Sequence, residues 1–290
     1  MAFTQDFPGL VLHLDILGRR LVSEDDSAWF VAGGGGEPWS DFVDWTLAQG
    51  WPGLENLALI PGTVGGAPIQ NIGAYGLELV DRLHEVVAVD LDDPNATQVR
   101  FSCADCKLGY RDSRFKREGW HRSGRFVIIE VVFRLPKKWR PVTGYSELKK
   151  ELAARGLDAP SAREIADTVV AIRQRKLPDP SQIPNAGSFF QNPITDIVTA
   201  TKLKLRYPEL PTYPQEDGRV KLAAAWMIEK AGWKGRDFGP VGMFENQALI
   251  LVNREPGTAR GTDVGMLAEA VRTDVRRHFG ILLTPEPVFI

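Results

Sequence analysis

The chain of 290 residues is 43% hydrophobic and 25% charged, with a formal net charge of −2. That length holds two cores or one large one, and the balance is that of a globular protein rather than a disordered or membrane-spanning one. The small charge supplies no general attraction to nucleic acid or anionic membrane, and the start, MAFTQDFPGL, lacks the basic flank and apolar core of a secretory signal, so a cytoplasmic protein is expected.

In chain order, LVLHL at 10–14 and AWFVA at 28–32 read as strands, short apolar runs bounded by turn residues. The glycines at 33–36 match neither G-x-G-x-x-G nor G-x-x-x-x-G-K-[ST], so a tight strand-to-helix turn is expected. Trp39, Phe42, Val43 and Leu47 then recur at helical spacing until Gly50. VVAVD at 86–90 and FVIIEVVFRL at 126–135 read as strands, the second with the unbroken apolar character of a strand covered on both faces. Ser161 and Glu164 stand in capping-box register at the head of a helix whose apolar face is Ile165, Val169 and Ile172. Leu177-Pro178-Asp179-Pro180 breaks that helix and marks the expected domain boundary. Beyond it, a helix is expected over 220–231, a strand over 248–252 and an amphipathic helix over 262–279 closed by Gly280. Helices and strands mix without regular βαβα alternation, which gives an α+β class.

Chemistry-bearing residues are sparse outside one stretch. Cys103 and Cys106 form a C-x-x-C pair, but the histidines at 13, 84, 121 and 278 are dispersed, so no metal site is expected. A redox pair opens a helix after a strand, whereas this one runs toward a glycine turn, so the thiols read as structural. The informative stretch is 56–76, NLALIPGTVGGAPIQNIGAYG, which interleaves glycine at 62, 65, 66, 73 and 76 with apolar anchors and holds no lysine or arginine. Glycine permits positive φ and close backbone approach, so the run suits a loop pressed against a flat or anionic partner.

That stretch occurs in one order with GYRDS (109–113), KLPDP (176–180), NAGSFFQNP (185–193), YPQEDGRVKLAAAW (213–226) and the terminal LTPEPVFI (283–290). The series resembles the UDP-N-acetylenolpyruvoylglucosamine reductase (UDP-N-acetylmuramate dehydrogenase) family from about residue 9 to the end. The resemblance implies an FAD-binding domain of the PCMH/vanillyl-alcohol-oxidase type at 1–177, with 281–290 returning to it, and a smaller α+β domain for a UDP-sugar at 178–280. It implies FAD as cofactor, NADPH as co-substrate, no metal, and a monomer. Ile60, Pro61, Gly62, Thr63, Gly65, Gly66, Ala67, Ile69 and Gly73, with Arg111, would line FAD, the amides from Pro61 to Ala67 facing its polar groups.

In the family, hydride reaches the enolpyruvyl substrate from reduced flavin, and a proton follows from the protein. Arg111 matches the arginine that stabilises the enolate-like charge, and its planar fork suits a carboxylate. Glu286 matches the paired carboxyl, acting either protonated as a donor or by orienting Arg111. Ser188 matches the proton donor. Tyr75, Tyr110, Tyr145, Arg173, Lys176, Asn192, Tyr213, Lys221 and Gln247 match substrate contacts, Tyr145 on a loop that closes over substrate in one subclass. Taken singly, Arg111 reads equally as a surface ion pair with Asp112, Ser188 as a turn residue, and Glu286 as an exposed carboxylate. The family's G-x-G-S-N loop, which cradles the FAD diphosphate, precedes the equivalent of Phe3 and is not found in this sequence. Weak FAD occupancy is therefore expected, with an inactive UDP-sugar-binding remnant or another PCMH-type flavin oxidoreductase as alternatives.

Overall fold

The computed structural model describes residues 9–289. The chain divides into two compact units, Leu12–Arg173 and the chain from Gln174 onward, the latter together with residues 9–11. The first is built on a five-stranded antiparallel sheet of β1 (Arg19–Glu24), β2 (Ala28–Gly34), β3 (Leu83–Asp90), β4 (Gln98–Ser102) and β5 (Phe126–Pro136), in the order β1-β2-β5-β3-β4. β5 lies at the centre, and Val131, Val132 and Phe133 are all buried, so both of its faces are covered as its apolar run implies. Helix α1 (Trp39–Ala48) packs on one face, with the Phe42 and Phe133 ring centroids 5.1 Å apart.

The expected strand at 10–14 is not formed; Leu10, Val11 and Leu12 are 80%, 61% and 77% exposed. The strand beside β2 is instead β1, mostly exposed and polar, in register Arg19↔Gly33. Edge pairing is decided by backbone hydrogen bonds and not by apolar content, which is why the reading missed it. The glycines at 33–36 do lead into α1, but they also let backbones meet. A Cβ on Gly35 would lie 2.1 Å from the Ile128 carbonyl oxygen, and one on Gly34 2.3 Å from that of Ile16.

Helix α2 (Ser146–Ala154) follows, and then α3 (Ala162–Lys176), which opens with the expected reciprocal cap: the Ser161 amide donates to Glu164 Oε2 at 2.8 Å, and the Glu164 amide to Ser161 Oγ at 3.3 Å.

The second unit contains β6 (Asn185–Ser188), β7 (Ile194–Thr195), α4 (Ile197–Arg206), β8 (Thr212–Pro214), β9 (Val220–Leu222), α5 (Ala224–Lys230), β10 (Asp237–Phe238), β11 (Val241–Met243), β12 (Ile250–Asn253) and α6 (Gly261–Phe279). Two small sheets, β8-β9-β7 and β10-β11-β12-β6, share a core with Leu267, Val271 and Val275 of α6. The helix expected over 220–231 begins only at Ala224, because Val220 and Leu222 are buried in a strand with Lys221 between them. In the tail, Ile281 and Leu283 are buried in the core of the second unit. Among the described residues no helix is long and apolar enough to cross a membrane.

Candidate functional site

In the first unit the glycine stretch is clipped to the turn between β2 and α1. The Trp39 amide donates to the Gly62 carbonyl at 3.0 Å, Val64 to Glu37 at 2.9 Å and Gly65 to Gly35 at 2.9 Å. Gly66 and Ala67 both donate back to the Thr63 carbonyl, at 3.1 and 3.2 Å. The amides from Val64 to Ala67 are thus occupied within the protein, and Pro61 has none. Among the described residues, the Gly62 and Thr63 amides have no protein acceptor. Both residues are exposed and line a cleft of about 770 Å³ with His13, Asp15, Arg19 and Glu37. The expected row of ligand-facing amides narrows to these two. Gly62 has φ +119°, and a Cβ built on it meets nothing within 4 Å, so open space lies over it. Ile60 and Ile69 pack against the buried core, and Gly73 enters a short hairpin, Gly73–Ala74 with Leu77–Glu78.

Arg111 stands on a tight turn closed by mutual hydrogen bonds of 3.0 Å between the backbones of Gly109 and Asp112. Its φ is +51°, a left-handed conformation that a non-glycine residue adopts only when its surroundings hold it there. Those surroundings are visible. Arg111 Nη2 donates to the Gly73 carbonyl at 3.0 Å, Lys116 Nζ donates to the Arg111 carbonyl at 2.8 Å, and the guanidinium carbon lies 5.4 Å from the Tyr110 ring centroid. Asp112, the alternative partner, pairs with Arg117. Asn71, fully buried with φ +45°, donates from Nδ2 to Glu78 Oε2 at 2.7 Å and to the Gly109 carbonyl at 3.1 Å; the Val80 amide donates to its Oδ1 at 2.9 Å.

Tyr75, Tyr145 and Arg173 form a second cluster. The two tyrosine rings meet edge to face at 5.4 Å, and the Arg173 guanidinium acts electrostatically on Tyr75. Burial pushes the Tyr75 phenol up to about 12, with Arg173 opposing, and burial holds the Arg173 guanidinium below its usual value. Arg173 Nε donates to the Leu59 carbonyl at 3.3 Å, and buried Asn56 donates from Nδ2 to the Tyr75 and Val142 carbonyls at 2.9 and 2.8 Å. Sequence reading did not single out Asn56, Asn71 or Glu78.

In the second unit, Ser188 ends β6, exposed, opposite Ile250 and after Gly187 at φ +71°. The next residues pair with the tail: Glu286 donates its amide to the Phe189 carbonyl at 2.8 Å, Gln191 donates to Thr284 at 2.9 Å, and Phe190 bridges Pro285. Ser188 and Glu286 therefore sit on one backbone framework. Tyr213 and Lys221 are cross-strand partners on β8 and β9, with the ammonium 6.0 Å from the ring centroid. Asn192 Oδ1 accepts from the Ala224 amide at 2.9 Å and Gln247 Oε1 from the Leu249 amide at 3.3 Å, so these two acceptors are committed to the fold. Lys176 closes α3.

The C-x-x-C pair does open a one-turn helix, Cys103–Cys106, after β4, capped by Ser102 and Asp105, against the expectation of a plain run into a turn. Burial nevertheless raises both thiols, Cys106 to about 12, so neither is an activated thiolate.

Residues 2–102 match the family model described as "FAD binding domain", and 179–290 match "UDP-N-acetylenolpyruvoylglucosamine reductase, C-terminal domain". The chain is 57% identical to the UDP-N-acetylenolpyruvoylglucosamine reductase of Dechloromonas aromatica over 100% of its own length and 85% of the relative's. It is 57% identical to that of an Azoarcus species over 98% and 81%, and 56% identical to that of Burkholderia vietnamiensis over 99% and 81%. The crystal structure of the Thermus caldophilus reductase shares the fold, with a TM-score of 0.57 at 22% identity over 89% of this chain and 71% of that one. The chain belongs to the UDP-N-acetylenolpyruvoylglucosamine reductase family.

Proposed function

We propose that this protein reduces UDP-N-acetylenolpyruvoylglucosamine to UDP-N-acetylmuramate for peptidoglycan precursor synthesis, using NADPH and FAD, as a cytoplasmic monomer. The observation that carries the residue-level reading is the anchoring of the Arg111 guanidinium on the Gly73 carbonyl, inside the stretch assigned to flavin. The residues fit that cofactor: Gly62 and Thr63 line the cleft with amides that have no acceptor among the described residues, and Ile60 and Ile69 pack against the core. Ile60, Pro61, Gly62, Thr63, Gly65, Gly66, Ala67, Ile69 and Gly73, with Arg111, would hold FAD, which when bound takes electrons from NADPH and passes a hydride equivalent to the substrate.

The chain's own groups do the rest. Arg111 stabilises negative charge developing at the substrate carboxylate, a planar cation fixed before the charge appears and so needing little reorganisation. Ser188 gives up a proton from Oγ, and Glu286, carried beside it by the Phe189 pairing, supplies the paired carboxyl. Tyr75, Tyr110, Tyr145, Arg173, Lys176, Asn192, Tyr213, Lys221 and Gln247 are the residues proposed to contact the UDP-sugar. For Asn192 and Gln247 the side-chain NH₂ is available for that contact, each oxygen already accepting one backbone amide. The test is NADPH oxidation by the purified protein, with and without added FAD, in the presence of the UDP-sugar. Turnover dependent on both supports the reading, and UDP-sugar binding without turnover in saturating FAD refutes it.

A further inference from the structure

The Arg111 turn lies far in sequence from the glycine stretch, yet side chains tie the two together: Arg111 to the Gly73 carbonyl, Ser113 to the Ile69 carbonyl and, at the opening of the turn, Asn71 to the Gly109 carbonyl. Asn71 Nδ2 spends both of its hydrogens, one on the Glu78 carboxylate and one on the Gly109 carbonyl that opens the turn, while Oδ1 accepts the Val80 amide. All its hydrogen-bonding groups are used, it is fully buried, and its left-handed backbone suits asparagine better than most residues. We infer that Asn71 is a positioning residue that sets the Arg111 guanidinium over the glycine stretch. Two observations argue against a purely local cap. Its bond to Gly109 spans 38 positions, and the Arg111 side chain returns to the same stretch at Gly73, two residues beyond Asn71. Asn71 and Gly73 thus hold the turn at its base and at its tip. Releasing the base frees a residue whose own φ of +51° favours relaxation to another conformation.

This inference rests on Arg111 as the substrate-facing cation, and the experiment separates the two. Asn71→Asp keeps the left-handed tolerance and the acceptor for Val80, but loses both donated bonds and turns an oxygen toward Glu78. If it fails to fold, Asn71→Gly replaces it, keeping the backbone conformation. Hydrogen exchange on the full chain is expected to quicken over residues 109–112 by about 10-fold or more, with β5 unchanged. In FAD-loaded protein, reoxidation by the UDP-sugar is expected to slow by about 10–100-fold while reduction by NADPH is unchanged. Combined with Arg111→Ala, the Asn71 change should add less than about 2-fold, because it acts through that arginine. Unchanged exchange over 109–112, equal slowing of both half-reactions, or a full further loss on top of Arg111→Ala would each overturn the inference. If Arg111→Ala alone leaves reoxidation intact, it is the reading of Arg111 that fails, and the exchange result still decides whether Asn71 holds the turn.

Discussion

The two units hold their proposed catalytic groups in different ways. In the first, Arg111 is fixed by side chains: buried Asn71, the lysine at 116 and its own bond to Gly73. In the second, Ser188 and Glu286 are placed by backbone pairing, with Phe189 and Phe190 buried as anchors beneath them. A polar network depends on each member, since removing one leaves another unsatisfied in a low dielectric. A backbone ladder tolerates changes in its outward side chains but fails when its apolar anchors go.

The largest effect should come from breaking the anchors. Phe190→Ala is expected to destabilise the protein by about 3–5 kcal/mol, read from urea unfolding, because the side chain is 1% exposed and packs on Phe189 with centroids 5.1 Å apart. Next, Arg111→Ala should slow the substrate step by about 100–1000-fold in single-turnover measurements with little change in melting temperature. Asp112→Asn, which touches only the Arg117 pair on the same turn, should stay within about 3-fold. Lys221→Met should weaken UDP-sugar binding by about 10-fold in calorimetry, and leave the rate at saturation nearly intact. A value unchanged by the mutation would remove Lys221 from the site.

The smallest effect is alkaline. The Tyr75 phenol, at about 12 in the fold against about 10 in an unfolded chain, is protonated in both states below about pH 10. Between those values the unfolded chain ionises first, so stability falls as pH rises. Tyr75→Phe should flatten part of that fall when unfolding is compared at about pH 9 and about pH 11.

Local features were legible in the sequence. The Ser161–Glu164 cap, the central strand at 126–135 and the glycine stretch follow from short-range spacing, and all appear in the fold. The failures share a cause in long-range contacts. Leu10, Val11 and Leu12 look like a strand but lie exposed, while polar Arg19–Glu24 pairs with β2. Val220 and Leu222 fit a helical or an alternating pattern equally over so few residues, and pairing with Thr212–Pro214 decides for the strand. Within the candidate site, motif order singled out Arg111, Ser188 and Glu286. It was silent on Asn71, whose role rests on a bond to a residue 38 positions away. The occupied amides of Val64 to Ala67 were equally hidden, because their acceptors include Gly35 and Glu37 on another segment.

The most direct test of the division of labour is Ser188→Ala in FAD-loaded protein, following reduction by NADPH and reoxidation by the UDP-sugar separately. Reduction is expected to be unchanged and product formation to fall by about 100-fold or more, as for loss of a general acid. Product formation at the wild-type rate would contradict the assignment of Ser188 as proton donor and, with it, the proposed role of the Phe189–Glu286 framework.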